Sequence, residues 1–490
     1  MPDYGLGSWP ARRARINPAG VALRQGDRTL DYVQLAARVD RIAAAFARAG
    51  VSHGDRVAYL GPNDIATFEV CFASTRLGAV FTPVNWRLAV PEIEYLLDDA
   101  APALLVHDVA CTELGDGPRV PTLAVGPELE ALAHEPGAPP DVDVRLDDAA
   151  VILYTSGTTG RPKGAVLTHA NLTFNTMNQL AHADVLSTDT ALCMSPLYHA
   201  TGLGQVGLPT LFKGGTVVVL AKFDPADVLA MIGRIGVTSF SAVPTMLGMM
   251  ADHPDFAAAD LSPLRYVVYG GSPVPERVAV AWLRRGVTLL QGYGMTEAGP
   301  GVYMAVADGA AERPTSVGVP HFFTDVRIDS DGSEPGAAGE LLVRGPNVFG
   351  GYWQRPEATA AALDSGWYRT GDVVRVDDAG WAHVVDRLKD LIISGGENVY
   401  PAEVEAAIDR LPGVVASAVI GVPDERWGEV GAAFVVPEAV GWDEQSLRAA
   451  LRAFLAPFKI PRYVHFVTDL PRTGTGKLRK ELLRNQLEKP

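Results

Sequence analysis

Apolar residues in this chain alternate between helical and strand spacing. Leu35, Val39, Ile42 and Phe46 recur every three or four positions and predict an amphipathic helix over residues 30–50. Short apolar runs predict strands at 55–60, 80–83, 103–107, 149–154, 190–195, 216–220, 237–242, 264–269 and 287–290. Helical patterns fall between them at 65–77, 170–180, 244–250 and from Pro275 onward. Asp224-Pro225 predicts a helix start, with the acid at the cap and proline in the first turn. Such alternation predicts layered α/β structure. Residues 338–344 and 383–385 suggest strands of a small β subdomain. The C-terminal part predicts a helix at 401–409, capped by residues 398–401. Strands at 414–421 and 431–436 and a helix at 444–455 follow. Residues 115–148, rich in proline, glycine and acids, read as a surface excursion. The methionines of 244–250 fit either core or a pocket wall.

The length of 490 residues exceeds one simple domain. The net charge of −15 argues against a nucleic-acid partner. Three cysteines, Cys71, Cys111 and Cys193, without a Cys-x-x-Cys spacing, argue against a disulfide framework or zinc site. They fit a reducing cytoplasm. No apolar run reaches the roughly 18 residues of a membrane span, and residues 1–10 lack an apolar signal core. The expectation is a cytoplasmic protein without an integral membrane segment, compatible with a homodimer.

Candidate chemistry centres on Val151-Ile-Leu-Tyr-Thr-Ser-Gly-Thr-Thr-Gly-Arg-Pro-Lys-Gly-Ala-Val166. A strand breaks into small hydroxyl and glycine residues, Thr155, Ser156, Gly157, Thr158, Thr159 and Gly160, and Lys163 follows. Close backbone approach, free N–H groups, hydroxyls and a positive charge suit polyphosphate. It is not a Walker A loop, because proline before the lysine and glycine after it prevent a helix from starting there. A plain surface loop is the alternative. Two successive strands end in glycine-rich loops, Gly270-Gly-Ser-Pro273 and Gln291-Gly-Tyr-Gly-Met-Thr-Glu297. They place both loops on one sheet edge, where ligands bind in open α/β folds. Tyr198-His199 sits in a glycine-rich turn, which by itself suits a locally bonded histidine.

The eleven positions Tyr154-Thr-Ser-Gly-Thr-Thr-Gly-Arg-Pro-Lys-Gly164 resemble the signature of the adenylate-forming superfamily. That family includes acyl-CoA synthetases, luciferases and peptide-synthetase adenylation domains, and the chain looks most like its fatty-acid–CoA ligases. The resemblance implies an α/β fold. A large N-terminal domain of layered sheets plus a small β subdomain, residues 1–386, would precede a small mobile α+β domain, residues 387–490, with a hinge near Lys389. It implies that Gly270, Gly271, Ser272 and Pro273, with Gln291, Gly292, Tyr293, Gly294 and Met295, surround the adenine, Tyr293 stacking on it. Thr296 would meet the α-phosphate, and Glu297 with Thr155 would hold Mg2+. Asp372 in Gly366-Trp-Tyr-Arg-Thr-Gly-Asp372 and Arg387 would bind the ribose. His199 with Tyr198 would line and gate the acyl site. Ser394, Gly395, Gly396 and Glu397 would form a pantetheine tunnel, with Trp427 near the nucleotide end of CoA. Lys477 in Pro471-Arg-Thr-Gly-Thr-Gly-Lys477 would be the adenylating lysine. Residue 386 is Asp where many relatives carry Gly.

The implied reaction is attack of a carboxylate on the α-phosphorus of Mg·ATP with release of pyrophosphate, then transfer of the acyl group to CoA. A carrier protein, an amine or another nucleophile is the alternative acceptor. Segments 198–204, 240–250 and 294–304 are expected to line the acid pocket. They contain no Arg or Lys, so a monocarboxylic acid with a fatty or aryl tail is favoured over a dicarboxylate.

Overall fold

The computed structural model describes residues 4–111, 120–155, 162–271, 274–330, 337–394, 397–424, 427–438, 441–455, 457–473 and 478–487. The chain forms two compact units. The first comprises Met1–Val326 and Val343–Tyr368, the second Arg327–Leu342 and Arg369–Pro490.

Among the described residues, two sheets build the first unit. One has nine strands, in the order Val319–Pro320, Tyr303–Met304, Leu289–Tyr293, Tyr266–Gly270, Ser239–Ala242, Thr190–Cys193, Thr216–Val219, Val21–Gln25 and Arg28–Asp31. The other has seven, in the order Gly351–Tyr352, Lys163–Thr168, Ala149–Thr155, Val80–Val84, Arg56–Leu60, Leu104–His107 and Thr122–Ala124. The central strands, from Tyr266–Gly270 to Val21–Gln25 in one sheet and Ala149–Thr155, Val80–Val84, Arg56–Leu60 and Leu104–His107 in the other, pair in parallel, and Val80–Val84 is buried at every position, as sheets covered on both faces require. The helix Tyr32–Arg48 starts where Asp31 accepts from Gln34 N at 2.7 Å. Its Leu35, Val39, Ile42 and Phe46 join a core shared with strands of both sheets. Asp224 caps Pro225–Ile235 as the sequence predicts.

Three expectations need correction. The excursion at 115–148 contains the strand Thr122–Ala124, which extends the seven-stranded sheet, and the helix Pro127–His134. Leu129 and Ala133 of that helix lie in the core. Glu130 pairs with Arg38 at 2.7 Å, and Arg38 also holds the fully buried Glu69. A short apolar stripe and one ion pair outweigh a loop-like composition. Next, of the glycine-rich turn expected over 196–204 only residues 197–199, which hold Tyr198-His199, form a turn; Gly202–Gly207 is a π-helical stretch that continues into Leu208–Lys213. Its glycines are there for close packing. A Cβ on Gly202 would lie 2.3 Å from the Pro196 carbonyl, and one on Gly207 2.7 Å from the Phe68 ring. The methionines divide: Met246 and Met250 pack into the core, while Met249 is exposed.

The second unit holds most of a five-stranded sheet made of Asp325–Asp329, Gly339–Arg344, Trp367–Val376, Leu363–Asp364 and Ala382–Arg387. Another five-stranded sheet contains Glu397–Val399, Ile392–Ser394, Gly428–Pro437, Val414–Asp424 and Tyr463–Phe466. Val404 and Ile408 of the helix Pro401–Asp409 and Leu447 and Leu451 of Glu444–Leu451 cover that sheet. The third correction concerns the cap of Pro401–Asp409. Tyr400 is its cap residue and makes no side-chain bond. The buried Asp386 does the work instead, accepting from Ala402 N at 2.8 Å and from Arg387 N at 2.7 Å. Burial pushes the Asp386 carboxyl pKa up.

The imidazoles of His169, His199 and His321 are held in the neutral form by their surroundings. Desolvation lowers His169 and His199 to about 4 and His321 to about 3. His169 Nδ1 accepts from Leu6 N at 2.9 Å. Depressed folded values stabilise above the unfolded value of roughly 6.5, and that stability is lost as pH falls toward 4. Asp409, pushed up to about 6 by burial, opposes this, as do Asp386 and Asp40, whose carboxyls burial also raises. A falling melting temperature is therefore expected between pH 7 and pH 5. The limiting slope is about 1.4 kcal/mol per pH unit for each net proton. Thermal unfolding across that range checks it, and a flat or rising profile would contradict neutral burial.

Candidate active site

The strands Ala149–Thr155 and Lys163–Thr168 pair antiparallel, with Thr155 opposite Lys163 and Tyr154 opposite Gly164. The hairpin therefore presents Thr155 and Lys163 side by side at the mouth of the loop. As predicted, no helix starts at Lys163; a strand does. Ser156, Gly157, Thr158, Thr159 and Gly160 lie outside the described residues. Gly164 is a packing glycine, since a Cβ there would sit 2.7 Å from Ile152.

Tyr266–Gly270 and Leu289–Tyr293 are parallel neighbours with Gly270 opposite Gly292. Both following loops thus leave the same sheet edge. A Cβ on Gly270 would fall 2.6 Å from the Gly292 carbonyl, and Gly271 has φ +88°. Ser272 and Pro273 lie outside the described residues. The Gln291 side chain is buried and accepts from Tyr269 Oη at 3.2 Å. Tyr293 is part-exposed, with its ring 6.1 Å from that of Tyr303. Gly294 admits no side chain, because its Cβ would overlap the Pro300 carbonyl at 1.3 Å. Met295 and Thr296 are part-exposed.

Glu297 lies in the helical turn Thr296–Ala298 and is 8% exposed. The segment 347–352 holds this turn from outside. Phe349 N donates to the Glu297 carbonyl at 2.8 Å. Asn347 Nδ2 donates to Ala298 O at 2.9 Å and to Gly301 O at 3.0 Å. Tyr352 Oη donates to Glu297 Oε1 at 2.9 Å, and Lys163 Nζ stands 5.3 Å from the centre of the same Tyr352 ring. Burial, and then the Glu297 charge, raise the Tyr352 phenol pKa, so it stays a donor. Asn175 ties the loop to the neighbouring helix by donating to Gly204 O at 2.8 Å and accepting from Gly301 N at 3.3 Å.

These groups fit Mg2+. The ion favours hard oxygen, keeps several waters and takes few protein ligands beside substrate phosphates. One nearly buried carboxylate with its second oxygen unclaimed by Tyr352, and the Thr155 hydroxyl, are that kind of donor set. Among the described residues no group of three or more His, Cys, Asp or Glu forms a cage that would suit another metal.

His199 follows the strand Thr190–Cys193, and its ring centroid lies 4.7 Å from that of Tyr198. Its Nε2 is buried without a hydrogen-bond partner. Beside the nine-stranded sheet lies a small cavity of about 10 Å3, room for a single water. It is lined by Gln179, Gln205, Thr210, Ser239 and Tyr266, with Ala183, Val185, Val206, Phe240 and Val268. No charged side chain lines it. Gln205 Oε1 accepts from Ser241 Oγ at 2.7 Å, and its Nε2 is 3.1 Å from where a Gly292 Cβ would be. The cavity wall therefore reaches the second glycine-rich strand end.

In the second unit, Asp372 and Arg387 face each other across paired strands, 2.6 Å apart. Asp372 is buried. Lys389 lies in the turn Leu388–Asp390. Ser394 is buried, opposite Glu397 on one side and Gly428 on the other, so it neighbours Trp427. Trp427 is 43% exposed. Gly395, Gly396 and Lys477 lie outside the described residues. Arg472 bridges to Leu478 on either side of the last loop.

Sequence reading missed Asn175, Asn347, Tyr352, Gln179 and Gln205. Turn residues in Gly345-Pro-Asn and Gly350-Gly-Tyr mark a loop, but nothing local says that the loop supports Glu297.

Residues 10–353 match the family described as AMP-binding enzyme. Residues 403–477 match the AMP-binding enzyme C-terminal domain. A feruloyl-CoA synthase of Amycolatopsis sp is 51% identical over 494 residues, covering 99% of this chain and 100% of that one. A long-chain-fatty-acid–CoA ligase of Mycobacterium tuberculosis is 36% identical over 492 residues, covering 98% of each. The o-succinylbenzoate coenzyme A synthetase of Bacillus subtilis, solved with ATP and magnesium ion, superposes with a TM-score of 0.87. It is 32% identical, with coverage of 98% of this chain and 99% of that one.

Proposed function

The chain belongs to the AMP-binding enzyme family and is an AMP-forming acid–CoA ligase; from that premise we propose that its acid is an arylpropenoic acid bearing a ring hydroxyl. ATP, Mg2+ and CoA complete the reaction. The observation that carries the reading is the 51% identity over 99% of the chain to a feruloyl-CoA synthase, against 36% to a long-chain-fatty-acid–CoA ligase. The segments 198–204, 240–250 and 294–304 contain no Arg or Lys, which fits an acid with a single carboxylate.

In this reading the carboxylate oxygen bonds to the α-phosphorus while the bond to the β-phosphate oxygen breaks. Lys163, Thr155 and the adjoining glycine-rich loop hold the departing pyrophosphate. When bound, Mg2+ neutralises phosphate charge, and Glu297 with Thr155 holds it. Thr296 contacts the α-phosphate, Tyr293 stacks on adenine, and Asp372 with Arg387 takes the ribose hydroxyls. The neutral His199 lines the acyl entrance without pairing with the acid. Protein catalysis here is positioning and electrostatic stabilisation. The CoA sulfur then bonds to the acyl carbon and AMP leaves. For that step residues 387–490 turn about Lys389, withdrawing Lys477 and bringing Ser394–Glu397 forward around the pantetheine arm, with Trp427 near the CoA nucleotide.

A panel of carboxylates assayed with ATP and CoA for AMP release tests the reading. A hydroxylated arylpropenoic acid is expected to exceed long-chain fatty acids, acetate and malonate in kcat/KM. A fatty acid or malonate turned over more efficiently than every aryl acid would sink it.

A further inference from the structure

Tyr352 stands outside every motif that marks this site, yet it touches two of its charged groups. The short strand Gly351–Tyr352 runs antiparallel to Lys163–Thr168, with Tyr352 opposite Ala165. Lys163 and Ala165 are two apart and share a face of the strand. That register brings the Lys163 ammonium to 5.3 Å from the centre of the Tyr352 ring. The phenol reaches the other way, to Glu297 Oε1 at 2.9 Å. Its own position is fixed on several sides. Tyr352 N donates to Thr359 Oγ1 at 2.9 Å, and the Phe349 ring meets it edge-on at 4.9 Å. Gly351 takes φ +130°, a backbone conformation that suits glycine.

We propose that Tyr352 is a positioning residue for the adenylation step, orienting Glu297 toward the metal and keeping Lys163 available to the phosphates. The proposal rests on the reading of Glu297 as the carboxylate that holds Mg2+. The chemistry follows from the two contacts. An ionised carboxylate accepts at both oxygens. With Oε1 occupied by the phenol, the rotamer is fixed and the second oxygen is left for a hard cation. The ring gives the ammonium an electrostatic partner that bears no charge. A direct Lys163–Glu297 ion pair would cancel both charges before substrate arrives; the tyrosine satisfies each group separately and leaves both charges for Mg·ATP.

The test reads binding rather than turnover. The full-length enzyme is titrated with Mn2+·ATP, without acid or CoA, and proton relaxation enhancement reports the ternary complex. Tyr352→Phe keeps the ring and removes the hydroxyl. It is expected to weaken Mn2+·ATP about tenfold, the order for losing one hydrogen bond to a charged group. Tyr352→Leu, which also removes the ring beside Lys163, is expected to weaken it further. Affinity for AMP, which needs no metal, stays at the parent value in both. Equal losses for AMP and Mn2+·ATP would mark general damage and overturn the proposal. Glu297→Gln is titrated in parallel. Weak Mn2+·ATP binding by Glu297→Gln with parental binding by Tyr352→Phe overturns the role of Tyr352 and leaves Glu297 as the metal holder. Parental binding by both removes the metal reading of Glu297 and the proposal with it.

Discussion

Glu297→Gln will lower the rate of acyl-adenylate formation by at least about 10², the scale for removing one electrostatic contact to a transition state. The substitution keeps the shape of the site. Gln Oε1 can still accept from Tyr352 Oη, and the bond from Phe349 N to the residue 297 carbonyl is untouched. Only the charge is lost, and the charge is what a hard cation requires. Because the carboxylate is 8% exposed, solvent has little access with which to replace it. Pyrophosphate release at saturating Mg·ATP measures the effect. A rate close to the parent would assign Glu297 a purely structural role, that of holding Tyr352 and the 297–301 loop.

Lys477→Ala should produce the largest and most asymmetric loss. Lys477 belongs to Thr473-Gly-Thr-Gly-Lys477, and its assignment rests on the resemblance of that motif. An ammonium beside the reacting carboxylate and the α-phosphate offsets the repulsion of two anions brought together. It has no comparable task when a thiol attacks an acyl-adenylate. Formation of acyl-adenylate from acid and ATP is therefore expected to be nearly abolished. Conversion of supplied acyl-adenylate and CoA to thioester should remain largely intact. Loss of uniform binding would instead raise KM and spare kcat. Single-turnover kinetics of each half-reaction separates these outcomes, and equal losses in both halves would refute the two-pose mechanism.

What could be read from the sequence follows physical range. Strand positions came from local apolar runs, and Asp224-Pro225 announced its helix through chemistry within one turn. The parallel pairing of Gly270 with Gly292 was implied because consecutive strands in such sheets lie side by side. The supports of the site were not readable, because each acts over a long sequence distance. Asn175 reaches Gly301 across 126 positions, and Tyr352 reaches Glu297 across 55. A buried asparagine or tyrosine carries no local mark of which distant carbonyl or carboxylate it serves. Glycine misled at Gly202, which answers to close packing against the Pro196 carbonyl rather than to a turn. Composition misled at 127–134, where Leu129 and Ala133 form too short a stripe to outvote the surrounding prolines and acids.

The bond from Ala402 N to Asp386 spans the segment that contains Lys389. If the chain turns at Lys389 so that residues 386 and 402 separate, a first-turn N–H loses its partner and a buried carboxyl loses an acceptor bond. Hydrogen bonds to charged groups contribute about 1.5–3 kcal/mol, which is roughly a ten- to hundredfold weighting of one pose over the other. With glycine at 386 that weighting would vanish, and the two poses would interconvert on a flatter landscape. If that turn occurs, the ratio of poses, and with it the partition of time between making the adenylate and consuming it, becomes a function of one side chain.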